Sequence, residues 1–296
     1  MVAPRAVIVH RASEWTELIA RHGTRGQVAF FLQQRDQSPS EVSARHDDLH
    51  AALAAVAAGI PSDWRRAAVE RADLPRFAFE PEDVVLVVGQ DGLVANVAKY
   101  LHDQPVIGVD PAPGRNAAVL VPHAPAATAA LLARVDDGSA VMQERTMVEV
   151  RSDDGQSLVA LNEIMIGQPG HQSARYLLEV AGETERQSSS GIIIGTGTGA
   201  SGWCRSIARI QAPRLPLPEP AEEALAWFVR EPWPSPTTGA DLIAGRLDGD
   251  APLALRVESD TLVAFGDGIE SDRLSLGWGQ RVTVGVSRRT LHTVVS

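Results

Sequence analysis

The run Val84-Val85-Leu86-Val87-Val88 and the turn Gly89-Gln90-Asp91-Gly92 behind it constrain this chain more than any other stretch. An apolar, Val-rich run of that length suits a strand covered on both faces. The glycine turn ends it, and Val94 to His102 reads as the helix that follows. Glycines at 89 and 92 let backbone N–H groups come close to a phosphate. Asp91 stands where the strand gives way to the helix. A carboxylate there takes a proton from an attacking hydroxyl, steers a magnesium ion, or simply caps the helix. On this segment alone the helix cap is the simplest reading.

The neighbouring patterns place the run in a βαβ rhythm. Ala6 to His10 reads as a strand and Glu14 to Arg21 as a short helix. Val28 to Leu32 is apolar but ambiguous, and Glu41 to Ala58 has helical spacing that Gly59-Ile60-Pro61 stops. Val106 to Val109 reads as a further strand and Thr128 to Val135 as a helix. Alternating strands and helices imply a parallel sheet with crossover helices. The pattern then changes to short strands separated by Gly, Ser and Asp turns: 147–151, 158–161, 176–180, 192–194, 253–257, 261–265, 281–286 and 291–294. Asp153-Asp154-Gly155 marks a hairpin turn. Pro213 to Pro220 is expected to be extended and Ala221 to Val229 helical. The expected architecture is an α/β domain over residues 1–122 and a β-rich domain over 123–296, with a ligand bound between them.

Composition excludes several functions. Of 296 residues, 44% are hydrophobic and 22% charged, an ordinary globular balance. The apolar stretches are strand-sized, so no membrane span or long signal segment is expected. Net charge is −10 with no clustered basic stretch, which argues against a broad nucleic-acid interface. Cys204 is the single cysteine, which rules out an internal disulfide, makes a thiolate metal site improbable and points to a cytoplasmic setting. Lys99 is the single lysine, and no G-x-x-x-x-G-K-[ST] loop exists. Any phosphate must therefore be handled by glycines, helix ends, arginine and metal.

Two further segments carry chemistry. Asn162 and Glu163 follow the strand Leu158 to Leu161; an amide beside a carboxylate can grip a vicinal diol, although Asn is also common in plain turns. Residues 191–203 run from a short apolar strand into Gly195-Thr196-Gly197-Thr198-Gly199-Ala200-Ser201-Gly202-Trp203. Gly197, Gly199 and Gly202 formally satisfy G-x-G-x-x-G, but neighbouring strands look antiparallel, which is the wrong setting for a Rossmann site. The better reading is a loop of small residues open to a planar or phosphorylated ligand, with hydroxyls from Thr196, Thr198 and Ser201 and a stacking face from Trp203.

Taken in order, Val-Val-Gly-Gln-Asp-Gly (87–92), Ala-Leu-Asn-Glu (160–163) and the 195–203 loop resemble the NAD kinase family. Pro105-Val-Ile-Gly-Val-Asp-Pro, the Thr-Gly-Thr-Gly form of the loop and Arg230-Glu-Pro look most like its mitochondrial-type branch, and Phe265-Gly-Asp-Gly resembles its late Asp-Gly turn. The resemblance implies a two-domain fold and transfer of the γ-phosphoryl group of ATP, carried with Mg2+, to the adenosine ribose 2′-hydroxyl of NAD. It implies Asp91 as the catalytic base and Gly89, Gln90 and Gly92 around the ATP phosphates. It assigns NAD binding to Asn162, Glu163, Thr196, Thr198, Gly199, Ala200, Ser201 and Trp203. It also implies small-molecule nucleotides as partners and a homodimer or larger homo-oligomer, with no resident metal site. This sequence departs from the family pattern at Gln90 for Gly, Leu93 for Thr, Asp110 for Asn and Ala200 for Ser. A side chain at 90 is expected to crowd the phosphates or to disturb a left-handed backbone. Two alternatives stay open: a dinucleotide sensor without turnover, and a kinase for another alcohol, since diacylglycerol and sphingosine kinases use a similar loop.

The remaining chemistry-bearing residues read as structural. His46 and His50 have an i, i+4 spacing that can bind metal, but no third ligand is apparent, and an exposed helix face is the simpler reading. Cys204 reads as a small buried hydrophobe, and Asp267 either lines the site or forms a turn, the turn being slightly favoured.

Overall fold

A computed structural model describes residues 3–115, 117–249 and 251–296. The chain divides into two compact units, one of residues 1–143 with 292–296, the other of residues 144–291.

In the first unit β1 (Arg5–His10) leads into α1 (Glu14–His22), α2 (Arg25–Gln33) and α3 (Pro39–Gly59). The starts of these helices follow from the sequence: Ser13, Thr24 and Ser38 each accept a backbone N–H of the first turn, and Pro39 occupies the first turn of α3. The ambiguous segment Val28 to Leu32 is thus helical. Then come β2 (Arg65–Glu70), β3 (Asp83–Val88), α4 (Asp91–Ala98), β4 (Val106–Val109) and α5 (Thr128–Asp136). The strands lie parallel in the order β2-β1-β3-β4, as the βαβ rhythm requires. Every residue of β3 is buried, which is why it reads as an unbroken apolar run. Its core partners include Ala52 and Val56 of α3 and Leu131 and Leu132 of α5. Residues 123–143 therefore lie with the α/β unit.

The second unit is built from β5 (Met142–Ser152), β6 (Ser157–Ala160), β7 (Glu163–Gly167), β8 (Ala174–Val180), β9 (Glu183–Ser189), β10 (Gly191–Gly195), α6 (Trp203–Gln211), β11 (Ala224–Arg230), β12 (Ala244–Asp248), β13 (Leu253–Val257), β14 (Thr261–Gly266), β15 (Ile269–Gly277) and β16 (Arg281–Val294). One antiparallel layer runs β12-β11-β10-β7-β14-β15. In the other, β13 lies between β16 and β8, β9 pairs β8, and β5 pairs β16 and β6. Alternate residues of the two layers, such as Ile192 and Ile194 of β10 against Leu253 and Leu255 of β13, form the core of a sandwich. Gly155, at φ +90°, turns the chain between β5 and β6 as the Asp-Asp-Gly pattern predicts.

Two expectations are corrected. Ala221 to Val229 is not a helix: residues 224–230 form β11, whose two faces are both covered. Leu225, Trp227 and Val229 enter the sandwich core, while Ala226 and Phe228 pack beneath α6. Residues 281–286 and 291–294 are not separate strands but the two ends of β16.

Candidate functional site

Asp91 is the first residue of α4, directly beyond the carboxyl end of β3. Crevices at that end of a parallel sheet are where α/β proteins bind ligands. The carboxylate does not cap its own helix. Its Oδ1 accepts the backbone N–H of Leu120 at 2.8 Å and its Oδ2 that of Val119 at 3.1 Å. Each oxygen keeps a further lone pair beyond the N–H group it accepts.

The neighbouring positions differ in what the fold asks of them. Gln90 is exposed and extended, at φ −109°, so the substitution brings no left-handed strain. A Cβ on Gly89 would touch Leu93 at 3.0 Å. Gly92 is exposed, and a Cβ there would meet nothing within 4 Å. Neither backbone angle nor packing requires glycine at 92, although glycine weakens a helix. Asp110 follows β4; its Oδ1 accepts the Ala112 N–H at 2.9 Å, while its Oδ2 is buried without a hydrogen-bond partner.

In the second unit three sequence-distant segments tie into one knot. Asn162 sits in the turn between β6 and β7, and Glu163 opens β7 rather than closing a strand. Asp267, in the left-handed region at φ +52°, accepts the N–H groups of Leu161 at 2.9 Å and Asn162 at 2.7 Å, and its own N–H donates to Glu163 O at 3.1 Å. The glycine loop docks on the same turn. Thr196 N–H donates to Asn162 O at 2.9 Å, and Thr196 Oγ1 donates to Leu161 O at 2.6 Å while accepting from Thr198 N at 3.1 Å. A Cβ on Gly199 would collide with the Asn162 carbonyl, one on Gly197 with that of Glu219, and one on Gly195 with the Cys204 sulfur. These glycines serve close approach of the chain to itself. β10 pairs antiparallel on both sides, so the G-x-G-x-x-G spacing has no Rossmann setting.

The knot leaves a small polar face. Thr196, Thr198, Gly199 and Ala200 are buried, whereas Asn162 and Glu163 are half-buried and Ser201 and Trp203 exposed. Ser201 Oγ donates to Thr198 O at 3.0 Å. The Asn162 and Glu163 side chains themselves make no hydrogen bond among the described residues; the bonds at this turn reach only their backbone. Burial, with the nearby Asp267 charge, pushes the Glu163 carboxyl up to about 7. The Arg230 guanidinium lies 5.5 Å from the centre of the Trp203 ring, a cation over a stacking surface. Arg145, buried, reaches Thr198 Oγ1 at 3.5 Å, and no motif in the sequence marks it. Cys204 is buried, and burial pushes its thiol up to about 12, which makes it a packing residue, not a nucleophile. His46 Nδ1 lies 2.7 Å from the Ser13 hydroxyl, and its ring meets His50 edge-on at 4.2 Å.

These features define a class before any relative is considered: a parallel α/β unit with a carboxylate at a strand's carboxyl end, and an antiparallel β unit carrying an amide–carboxylate turn braced by a glycine loop. No protein-family model matches the chain. A curated NAD kinase from Rickettsia peacockii (strain Rustic) is 30% identical over 146 residues, 47% of this chain and 54% of that protein. The similarity thus spans about half the length of each. No helix among the described residues is long and apolar enough to cross a membrane.

Proposed function

We propose that this protein transfers the γ-phosphoryl group of ATP to the adenosine ribose 2′-hydroxyl of NAD, producing NADP. The observation that carries the reading is the knot of the second unit. It holds an Asn162 amide and a Glu163 carboxyl, adjacent in the chain, whose side chains have no hydrogen-bond partner among the described residues, and the glycine loop docked on that turn ends in an exposed Trp203. Such a face suits a ribose diol and a planar base. The similarity to an NAD kinase supports the same substrate.

In this reading Asp91 takes the proton of the attacking hydroxyl through a lone pair that the 119–120 backbone leaves free. Gly92, which the fold does not require, gives the phosphates access to the first turn of α4, with Gly89 and the exposed Gln90 at its rim. Asn162 and Glu163 hold the dinucleotide, Trp203 and Ser201 border it, and Thr196, Thr198, Gly199 and Ala200 shape the loop from within. Magnesium arrives with the triphosphate and neutralises phosphate charge. The chain acts in the cytoplasm as a homo-oligomer.

Incubating the protein with ATP, magnesium and NAD and measuring NADP tests the reading. NADP should form, and Asp91→Asn should lower kcat by about 10²–10⁴-fold, the usual contribution of a general base. NAD binding without turnover, or turnover with only another alcohol, overturns it.

A further inference from the structure

The α1–α2 hairpin carries a second candidate ligand site, far in sequence from the residues given roles above. A groove of about 740 Å³ runs along it, lined by Arg21, His22, Gly26, Phe30, Phe31 and Arg35 among others, and no carboxylate lines it among the described residues. That is unusual on a chain of net charge −10. The inner face of the hairpin is fixed by Leu18, Val28, Leu32 and Val42, so the groove lies on a packed support.

Its chemistry is specific. Phe30 is 64% exposed, a large ring that the hairpin's own core leaves in water. Arg35 sits 3.7 Å over the Phe31 ring, with Nη1 donating to Phe31 O at 3.4 Å, so the guanidinium is held at the wall with its other N–H groups uncommitted to any acid. His22 packs on Phe31 at 4.3 Å between ring centres. Its Nε2 is shielded from water yet has no hydrogen-bond partner. A polar atom in that state costs free energy until an acceptor or donor reaches it. Gly26 has open space where a Cβ would stand and no positive φ, so the fold does not demand glycine there.

We propose that this groove binds an anion of the nucleoside monophosphate class, with the planar base on Phe30 and the phosphate on Arg21 and Arg35. Two arginines line one groove without a carboxylate among its described lining residues, and the exposed Phe30 ring lines it too, the pairing of cation and aromatic face that a phosphate joined to a planar base requires.

The test is hydrogen–deuterium exchange and equilibrium dialysis on the full chain with AMP, with inorganic phosphate as the second probe. AMP should slow exchange across residues 21–35. The double variant Arg21→Ala/Arg35→Ala should weaken the binding located there by about tenfold or more, as loss of charge-assisted hydrogen bonds does. Phe30→Ala should weaken AMP but leave phosphate unchanged. These residues are exposed, so the variants should keep the parent's circular dichroism and melting temperature. Protection confined to 89–92 and 160–203, or an undiminished 21–35 signal in the double variant, overturns the proposal. Inorganic phosphate binding as tightly as AMP overturns its aromatic half.

Discussion

At the scale of single residues, two positions separate what the fold needs from what a ligand needs. Glu163 is raised to about 7 by burial and by Asp267. An acid whose pKa is higher in the folded than in the unfolded chain binds its proton more tightly when folded. It costs stability as pH climbs from the unfolded value near 4.5, and the full penalty stands above about 7. Glu163→Gln should therefore stabilise the protein at pH 8, on the order of 2 kcal/mol, and change little at pH 4.5, as read from urea midpoints. If the carboxylate grips the ribose, the wild-type KM for NAD should fall between pH 6 and 8, and the variant should lose that dependence. Gly92 offers the complementary case. Gly92→Ala meets no atom and removes chain freedom, so the melting temperature should hold or rise, by roughly 0.5–1 kcal/mol in stability. NADP formation should nonetheless drop if phosphates approach that turn. Unchanged turnover would assign the glycine no part in catalysis.

At the scale of elements, the β6–β7 turn depends on a carboxylate about a hundred residues away. Asp267→Ala removes the acceptor of two backbone N–H groups and leaves a Cβ residue at positive φ. The expected cost is about 2–4 kcal/mol by chemical denaturation, with Asp267→Asn, which keeps one oxygen and tolerates the left-handed region, losing about half of that. Equal losses in the two variants would place the charged two-oxygen acceptor, rather than backbone strain, at the centre of the effect. How far such elements are legible in the sequence depends on whether their pattern is local. β3, α3 and the 153–155 turn declare themselves through an apolar run, a capped helical period and a glycine turn. β11 does not: covered on both faces, it shows no alternation, and its leading Glu and Ala residues imitate a helix start. β9 and β15 are mostly polar strands held by pairing to β8 and β14, which no single-strand pattern reveals. The site divides the same way. Asp91, Asn162 and the glycine loop stand out as motifs, whereas the service of Thr196 as an internal clasp and the approach of Arg145 to Thr198 are tertiary facts.

At the scale of the whole molecule, the chain's last residues return to the unit where it began. Thr293 pairs with Val106 beside β4, Val294 is buried in the first unit's core, and its carbonyl lies 2.8 Å from His123 Nε2. Thr293 Oγ1 donates to Gln143 O at 3.1 Å, and Val295 N–H donates to Val141 O at 2.9 Å. Nothing local in Leu-His-Thr-Val-Val distinguishes this tail from any β-edge segment; its place is decided by the partners it finds. A chain ending at Leu291 forfeits one buried valine and several hydrogen bonds, together about 4 kcal/mol. Because those contacts fall in the parallel sheet, the loss should be uneven. Native-state hydrogen exchange should show the amides of Leu86 and Ile107 losing protection, while that of Ile193 in β10 keeps it. Equal loss in all three strands would show that the tail's contribution is not confined to the α/β unit, and the division of the chain at residues 143 and 292 would then have no energetic counterpart.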